Sequence, residues 1–125
     1  MTFFFDNNHS PEIVEILRKA EVDARHLREL FHRGTDDTEW LPKIAEWGWI
    51  LVTGDHRIRT RKAERPIFQK AGLVTFFVAR EYNNKQALTR IRWILNQWEK
   101  IEAETARAEP GDCFLVPMKG KLKKL

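Results

Sequence analysis

Cysteine is all but missing from this chain, Cys113 being its one thiol. A single thiol excludes an internal disulfide framework and a cysteine-based zinc cage, so a reducing cytoplasm is the expectation rather than secretion. Long apolar runs are missing too. The longest, Phe3 to Phe5, Trp49 to Val52 and Leu73 to Ala79, fall far short of the ~20 residues that cross a bilayer, so no membrane span is expected. The chain enters an aromatic run at Phe3 without a basic leader or a small-residue cleavage site, so no signal peptide is read and Met1 is the expected start. Nor does one sign of charge dominate. Twenty-two Lys and Arg against eighteen Asp and Glu give +4 and a pI near 9.4, a lean toward polyanions that does not choose between nucleic acid and ordinary solubility. There are no internal repeats. What is present, 125 residues with 42% apolar and 32% charged, suits one domain that buries about two thirds of its unfolded surface.

Local patterns alternate strand with helix. Thr2 to Phe5 is a β-prone run ending at Asp6, and Asn7, Asn8 and His9 make a loop before Ser10 and Pro11, a helix cap followed by a first-turn proline. Ile13, Val14, Leu17 and Ala20 recur at helical spacing. Ala24 to Phe31 lacks a clean period and is read as a strand from its place between two helices. The next helix opens at Thr35 to Glu39, with Asp36 and Glu39 at capping-box spacing, Trp40, Leu41, Ile44 and Ala45 on one face, and Gly48 at its exit. Trp49 to Thr53 and Leu73 to Ala79 are apolar without alternation, as strands covered on both faces are. Between them a basic loop from Arg57 runs into a helix ending near Gly72. A long helix from Asn83 or Asn84 carries the stripe Leu88, Ile91, Leu95, Trp98 and Ile101 as expected core, with Trp93 as a candidate partner surface and a homodimer as a reading. Pro110 and Gly111 break it, and Cys113 to Val116 form a last strand. These elements predict a single α/β domain over residues 1–118, with a mostly parallel sheet of about five strands and helices on both faces, followed by a solvated lysine tail over residues 119–125.

Three carboxylates can share a cleft in such a fold. Asp6 ends the first strand, Asp55 follows the strand Trp49 to Thr53, and Asp37 lies in the first turn of the helix between them. In a parallel sheet, strand carboxyl ends and helix amino ends lie on one side. Ionised carboxylates brought together need a cation, and oxygen donors suit Mg²⁺ or Mn²⁺ rather than zinc. Each aspartate also has a plain role as cap or turn former. Asp36 has the better spacing for a cap, which leaves Asp37 to face the cleft, while Glu39 reads either as a further ligand or as the reciprocal half of the capping box.

The blocks FFFDNN before a helix, DDTEWL opening a second helix and ILVTGD closing a strand resemble the acidic blocks of PIN-like domains, nearest to the VapC-type toxin branch. The resemblance covers about residues 3 to 80, and it is the ordered set rather than any one block that is specific. It implies a metal-dependent endoribonuclease, the toxin of a toxin–antitoxin pair, in which Asp6, Asp37 and Asp55 hold one or two Mg²⁺ or Mn²⁺ ions and activate water for attack on an RNA phosphodiester. The implied partners are RNA and a small antitoxin protein that covers the cleft or supplies a charged group to it. Asn7 and Asn8 become candidates to orient the acids or water, beside their ordinary use in turns, and Thr60 a candidate contact to phosphate or water. Two departures stand out: Asn7 occupies a position where the branch often has Glu, and no acid follows Asp55 until Glu64. A non-catalytic module that binds RNA or a protein is the alternative, and an α/β phosphoryl-transfer or phospho-receiver domain, phosphorylated at Asp55, is a third.

Beside Asp55 the chain places His56, Arg57, Arg59, Arg61, Lys62 and Arg65, the arginines and Lys62 reading as contacts to an RNA backbone or as a solvated helix start. None of the four histidines shows metal-helix spacing, and His9 and His56 read as no more than candidate proton carriers or phosphate contacts. The tryptophans at 40, 47, 49, 93 and 98 lie mostly on apolar positions and read as core or oligomer contacts, not as a platform for bases.

Overall fold

The computed structural model describes residues 1–125. Its elements run β1 (Phe3–Phe5), α1 (Pro11–Lys19), β2 (Ala24–His26), α2 (Leu27–Leu30), α3 (Asp37–Glu46) and β3 (Ile50–Thr53); then α4 (Arg65–Ala71), β4 (Thr75–Val78), α5 (Ala87–Arg107), β5 (Cys113–Val116) and β6 (Lys123–Lys124). Short 3₁₀ turns at His56–Arg59 and Arg80–Asn84 follow β3 and β4. One sheet has the order β2-β1-β3-β4-β5-β6, parallel throughout except for the antiparallel β5–β6 pair.

The two-residue period of a strand divides the sheet's side chains between two cores. Phe3 and Phe5 join α1 (Ile13, Val14, Leu17) and α5 (Trp93, Ile94, Trp98, Ile101) on one face. Phe4 turns the other way, to Trp40, Leu41 and Ile44 of α3 and Phe68 of α4. Burying side chains of this size stabilises the fold by ~1.5–3 kcal/mol each. Gly48, at the exit of α3, and Gly72, the C-cap of α4, stand at φ 71° and 64°, left-handed values that let the chain reverse after each helix at little cost. No helix is long and apolar enough to cross a membrane.

Strand order positions the site. From β1 the chain passes through α1 to β2 on one side and later returns to place β3 on the other, so the direction of winding reverses between β1 and β3. A crevice opens at the strands' carboxyl ends at such a switch point. Asp6 leaves β1 there, and Gly54 and Asp55 leave β3 there.

Four expectations are corrected. The segment Ala24 to Phe31 is a strand only through His26; His26 then caps the one-turn helix α2, its ring accepting from the Arg28 N–H while the Glu29 side chain accepts from the His26 N–H. Asp36 is the N-cap of α3, but it makes no side-chain cap bond and the box with Glu39 does not form. The buried face of α5 is rotated from the stripe expected: Leu88 and Leu95 are exposed, and Trp93 is core at 2% exposure. Buried Gln97 and Thr105 share that inner face because each finds a carbonyl, Gln97 Nε2 donating to Pro117 O at 2.7 Å and Thr105 Oγ1 to Ile101 O at 2.8 Å. The final lysines also do more than trail in solvent. Lys123 and Lys124 pair with β5 as a sixth strand, the Leu125 N–H donates to Cys113 O at 2.8 Å, and Lys124 lies 3.5 Å from Asp112.

Candidate functional site

Asp6 is the innermost acid, 4% exposed at the end of β1. Thr53 Oγ1 donates to its Oδ2 at 2.5 Å, and the Asn8 N–H to its Oδ1 at 3.3 Å. The same hydroxyl accepts from the Asp55 N–H at 3.0 Å, which ties the ends of β1 and β3 together through one atom. Two hydrogen bonds do not offset the loss of water. Burial, helped by the negative charges of Asp37 and Asp55, pushes the Asp6 carboxyl up to about 7.

Asp37 is half-buried in the first turn of α3. Its carboxyl is also pushed up, by burial and then by the charges of Asp55 and Glu64, against which only Arg61 acts as a nearby cation. Asp55 caps the 3₁₀ turn after β3: its Oδ1 accepts from Arg57 N at 3.0 Å and Arg57 Nε at 3.1 Å. Its Oδ2 lies 3.7 Å from Arg61, whose guanidinium also lies 3.4 Å from Glu64 Oε1. Glu64 is 8% exposed, and its Oε2 is buried without a hydrogen-bond partner, a costly state for a carboxylate oxygen. The sequence suggests that no acid follows Asp55 nearby. The fold brings Glu64 back beside Asp37, so the cleft holds four carboxylates.

This donor set fits a hard divalent cation: it is all oxygen, four carboxyl groups against the two cations Arg57 and Arg61, and includes one buried oxygen with nothing to bond. As the side chains stand, no three of them close to metal-holding distance, and Arg61 lies between Asp55 and Glu64.

The other residues singled out from the sequence fall in different places. Glu39 is exposed on α3. Asn7 turns away from the acids, its Nδ2 donating to Arg33 O at 3.2 Å and its Oδ1 accepting from Arg28 at 3.4 Å. Asn8 stays, its Oδ1 3.4 Å from Thr53 Oγ1 and its carbonyl accepting from Arg90 at 3.0 Å. Thr60 is exposed and reaches only Arg57 O at 3.5 Å; Thr53, which sequence reasoning passed over as a strand residue, is the hydroxyl on the acids. Arg59 stacks over Phe77 with 5.5 Å to the ring centre, and Lys62 and Arg65 are exposed near the start of α4. His9 is buried, its Nδ1 2.7 Å from Tyr82 Oη, and burial lowers its pKa to about 3, so it stays neutral and does not carry protons at neutral pH. His56 Nε2 donates to Val78 O at 2.6 Å, which commits that nitrogen to the backbone.

No curated protein and no solved structure matches the chain. A family model described as a PIN-like domain matches residues 1–80, nearly two thirds of the length, the span that carries Asp6, Asp37, Asp55 and Glu64. Such domains are nucleases in general. The chain belongs to the PIN-like domain family.

Proposed function

We propose that this protein is a metal-dependent endoribonuclease that hydrolyses RNA phosphodiester bonds, and that it acts as the toxin of a toxin–antitoxin pair whose small partner protein masks the cleft. The observation that carries the nuclease reading is the set of acids gathered and desolvated at the switch point, with Asp6 pushed up to about 7 chiefly by burial and Asp37 raised by burial and then by the charges of Asp55 and Glu64. An arrangement that is unfavourable by itself becomes favourable when a cation joins it.

Asp6, Asp37 and Asp55 would hold Mg²⁺ or Mn²⁺, with Glu64 as a fourth oxygen donor. The ion, when bound, supplies Lewis acidity and a stronger nucleophile from water at neutral pH. The chain's own groups set the geometry. Thr53 holds the Asp6 carboxylate by one oxygen and the Asp55 backbone by its N–H, fixing two acids relative to each other. Arg57, Arg59, Lys62 and Arg65 draw the RNA backbone to this edge without reading bases. Arg61 offsets charge among the acids until a cation does so and is then free to face phosphate.

A second reading has its own support. Because Arg61 already bridges Asp55 and Glu64, the same cleft can serve a module that binds RNA without cutting it. Incubating RNA with the purified protein and Mn²⁺ separates the two: metal-dependent cuts that disappear in Asp37→Asn support the nuclease, and retained binding with no cuts supports the binding module.

A further inference from the structure

A second, wholly polar recess adjoins the acids on the side of the 3₁₀ turn Arg80–Asn84. It has a volume of about 280 Å³, no apolar residue lines it, and Asp55 forms part of the wall it shares with the cleft. Around it stand Arg57 and Arg80 and the amides of Asn8, Asn83 and Asn84. Its floor is fixed: Asn83 Nδ2 donates to Gly54 O at 2.9 Å, and the approach is so close that a Cβ on Gly54 would lie 2.4 Å from Asn83 Oδ1 and 3.3 Å from Asn8 Cβ. Glycine is favoured here by contact with neighbours, not by its φ, because a methyl group would push Asn83 off its bond to Gly54 O. The Asn8 side of the recess is anchored by Arg90, which donates to Asn8 O at 3.0 Å.

The charges have different degrees of commitment. Arg57 is engaged with Asp55, which cancels part of the acid's repulsion toward an anion. Arg80 takes part in none of the chain's ion pairs and is exposed at the rim. The His56 ring is the one aromatic side chain on the wall of the recess, and its Nε2 is committed to Val78 O; a free guanidinium among neutral amides suits a phosphate. The recess lies at the small end of ligand pockets, ~300–1,000 Å³, with room for a phosphate and part of its nucleotide.

From this geometry we infer that Arg80, Asn83 and Asn84 form a subsite for the phosphate of single-stranded RNA next to the one presented to the acids. The inference rests on the nuclease reading for its substrate. The subsite positions the strand through its backbone, so its contribution is independent of sequence.

The test measures binding of fluorescently labelled short oligouridylate and oligoadenylate to the full chain by anisotropy in EDTA, across a salt series. Arg80→Gln is expected to weaken both oligomers roughly tenfold and to make the salt slope shallower by ~0.7, the value of one phosphate contact on a single strand. Asn84→Ala is expected to weaken both by a smaller factor. Lys70→Gln, which removes the same charge at the end of α4, leaves affinity and slope near those of the unaltered protein. The inference is overturned if Arg80→Gln matches Lys70→Gln, if it weakens only one of the two oligomers, or if the unaltered protein binds neither. Cleavage with Mn²⁺ is followed in parallel. Cutting together with an indifferent Arg80 rejects the subsite and keeps the nuclease, whereas an Arg80-dependent slope without cutting rejects the nuclease and keeps the subsite.

Discussion

Replacing Asp6 by Asn should make the protein more stable above neutral pH while abolishing its activity. The unfolded carboxyl titrates at 3.8 and the folded one at about 7. Below the lower value both states are protonated and the group has no effect. Between the two values the folded state retains a proton that the unfolded state has lost, so stability falls as pH rises, and above about 7 the deficit is constant. About three units at 1.36 kcal/mol each amount to ~4 kcal/mol. An amide of the same shape escapes this penalty and keeps the hydrogen bonds: its oxygen takes the Asn8 N–H, and its NH₂ donates to Thr53 Oγ1, whose proton turns to Asn8 Oδ1 at 3.4 Å. The folded value already includes the bonds from Thr53 and Asn8 to the charged form, so the expected gain is ~4 kcal/mol at pH 8 and under ~1 kcal/mol at pH 4. Urea unfolding of both proteins in EDTA at several pH values measures it. His9, buried with its pKa lowered to about 3, works in the other direction, making both proteins lose stability as pH falls below about 6.5. The difference between variant and parent therefore isolates Asp6. A difference that does not grow between pH 4 and pH 7, or an Asp6→Asn protein weaker than its parent at pH 8, would refute the reasoning.

Other outcomes follow from the same structure. Mn²⁺ affinity measured by calorimetry should fall as pH drops through 7, with protons released on binding, because the ion must displace the proton that Asp6 holds. Arg61→Gln should tighten Mn²⁺ binding severalfold in the same assay, since the guanidinium competes for Asp55 and Glu64; weaker binding would show that it supports the site instead. Gly54→Ala should cost ~1–3 kcal/mol in denaturant unfolding, because Asn83 must give up its bond to Gly54 O to clear the new methyl group. Trp93→Ala should cost ~3–5 kcal/mol and Leu88→Ala under ~0.5 kcal/mol, reversing the roles that the apolar stripe of α5 suggests.

Much of the fold is legible in the sequence because parallel strands covered on both faces read as unbroken apolar runs, and Phe3–Phe5, Ile50–Thr53 and Thr75–Val78 do so. The aspartates of the site are legible for a related reason: each terminates or opens a recognisable element, so topology alone puts Asp6, Asp37 and Asp55 on one edge. Glu64 has no such marker. It lies beyond a 3₁₀ turn whose path depends on Asp55 capping Arg57 and on Ile58 packing into the core, and neither is encoded in local periodicity. Thr53 reads as an ordinary β-branched strand residue until its hydroxyl is seen between two acids. The rotation of α5 escapes a count of apolar residues because the helix buries Gln97 and Thr105 with carbonyl partners that come from tertiary structure or from the preceding turn. Pairing of the last lysines with β5 is hidden for a similar reason, since a strand of two charged residues is held by its backbone alone.

The nuclease reading requires that the acids at the β1–β3 switch point hold a cation. It is tested most directly by incubating a mixed structured RNA pool with the purified protein and its Asp37→Asn variant, in Mg²⁺, Mn²⁺ or EDTA. Asp37 is the residue to alter because, unlike Asp55, its side chain caps no turn. Cuts that need the metal and vanish in the folded variant are the expected result. Cleavage at equal rates by both proteins, or none by either while RNA stays bound, would contradict that reading.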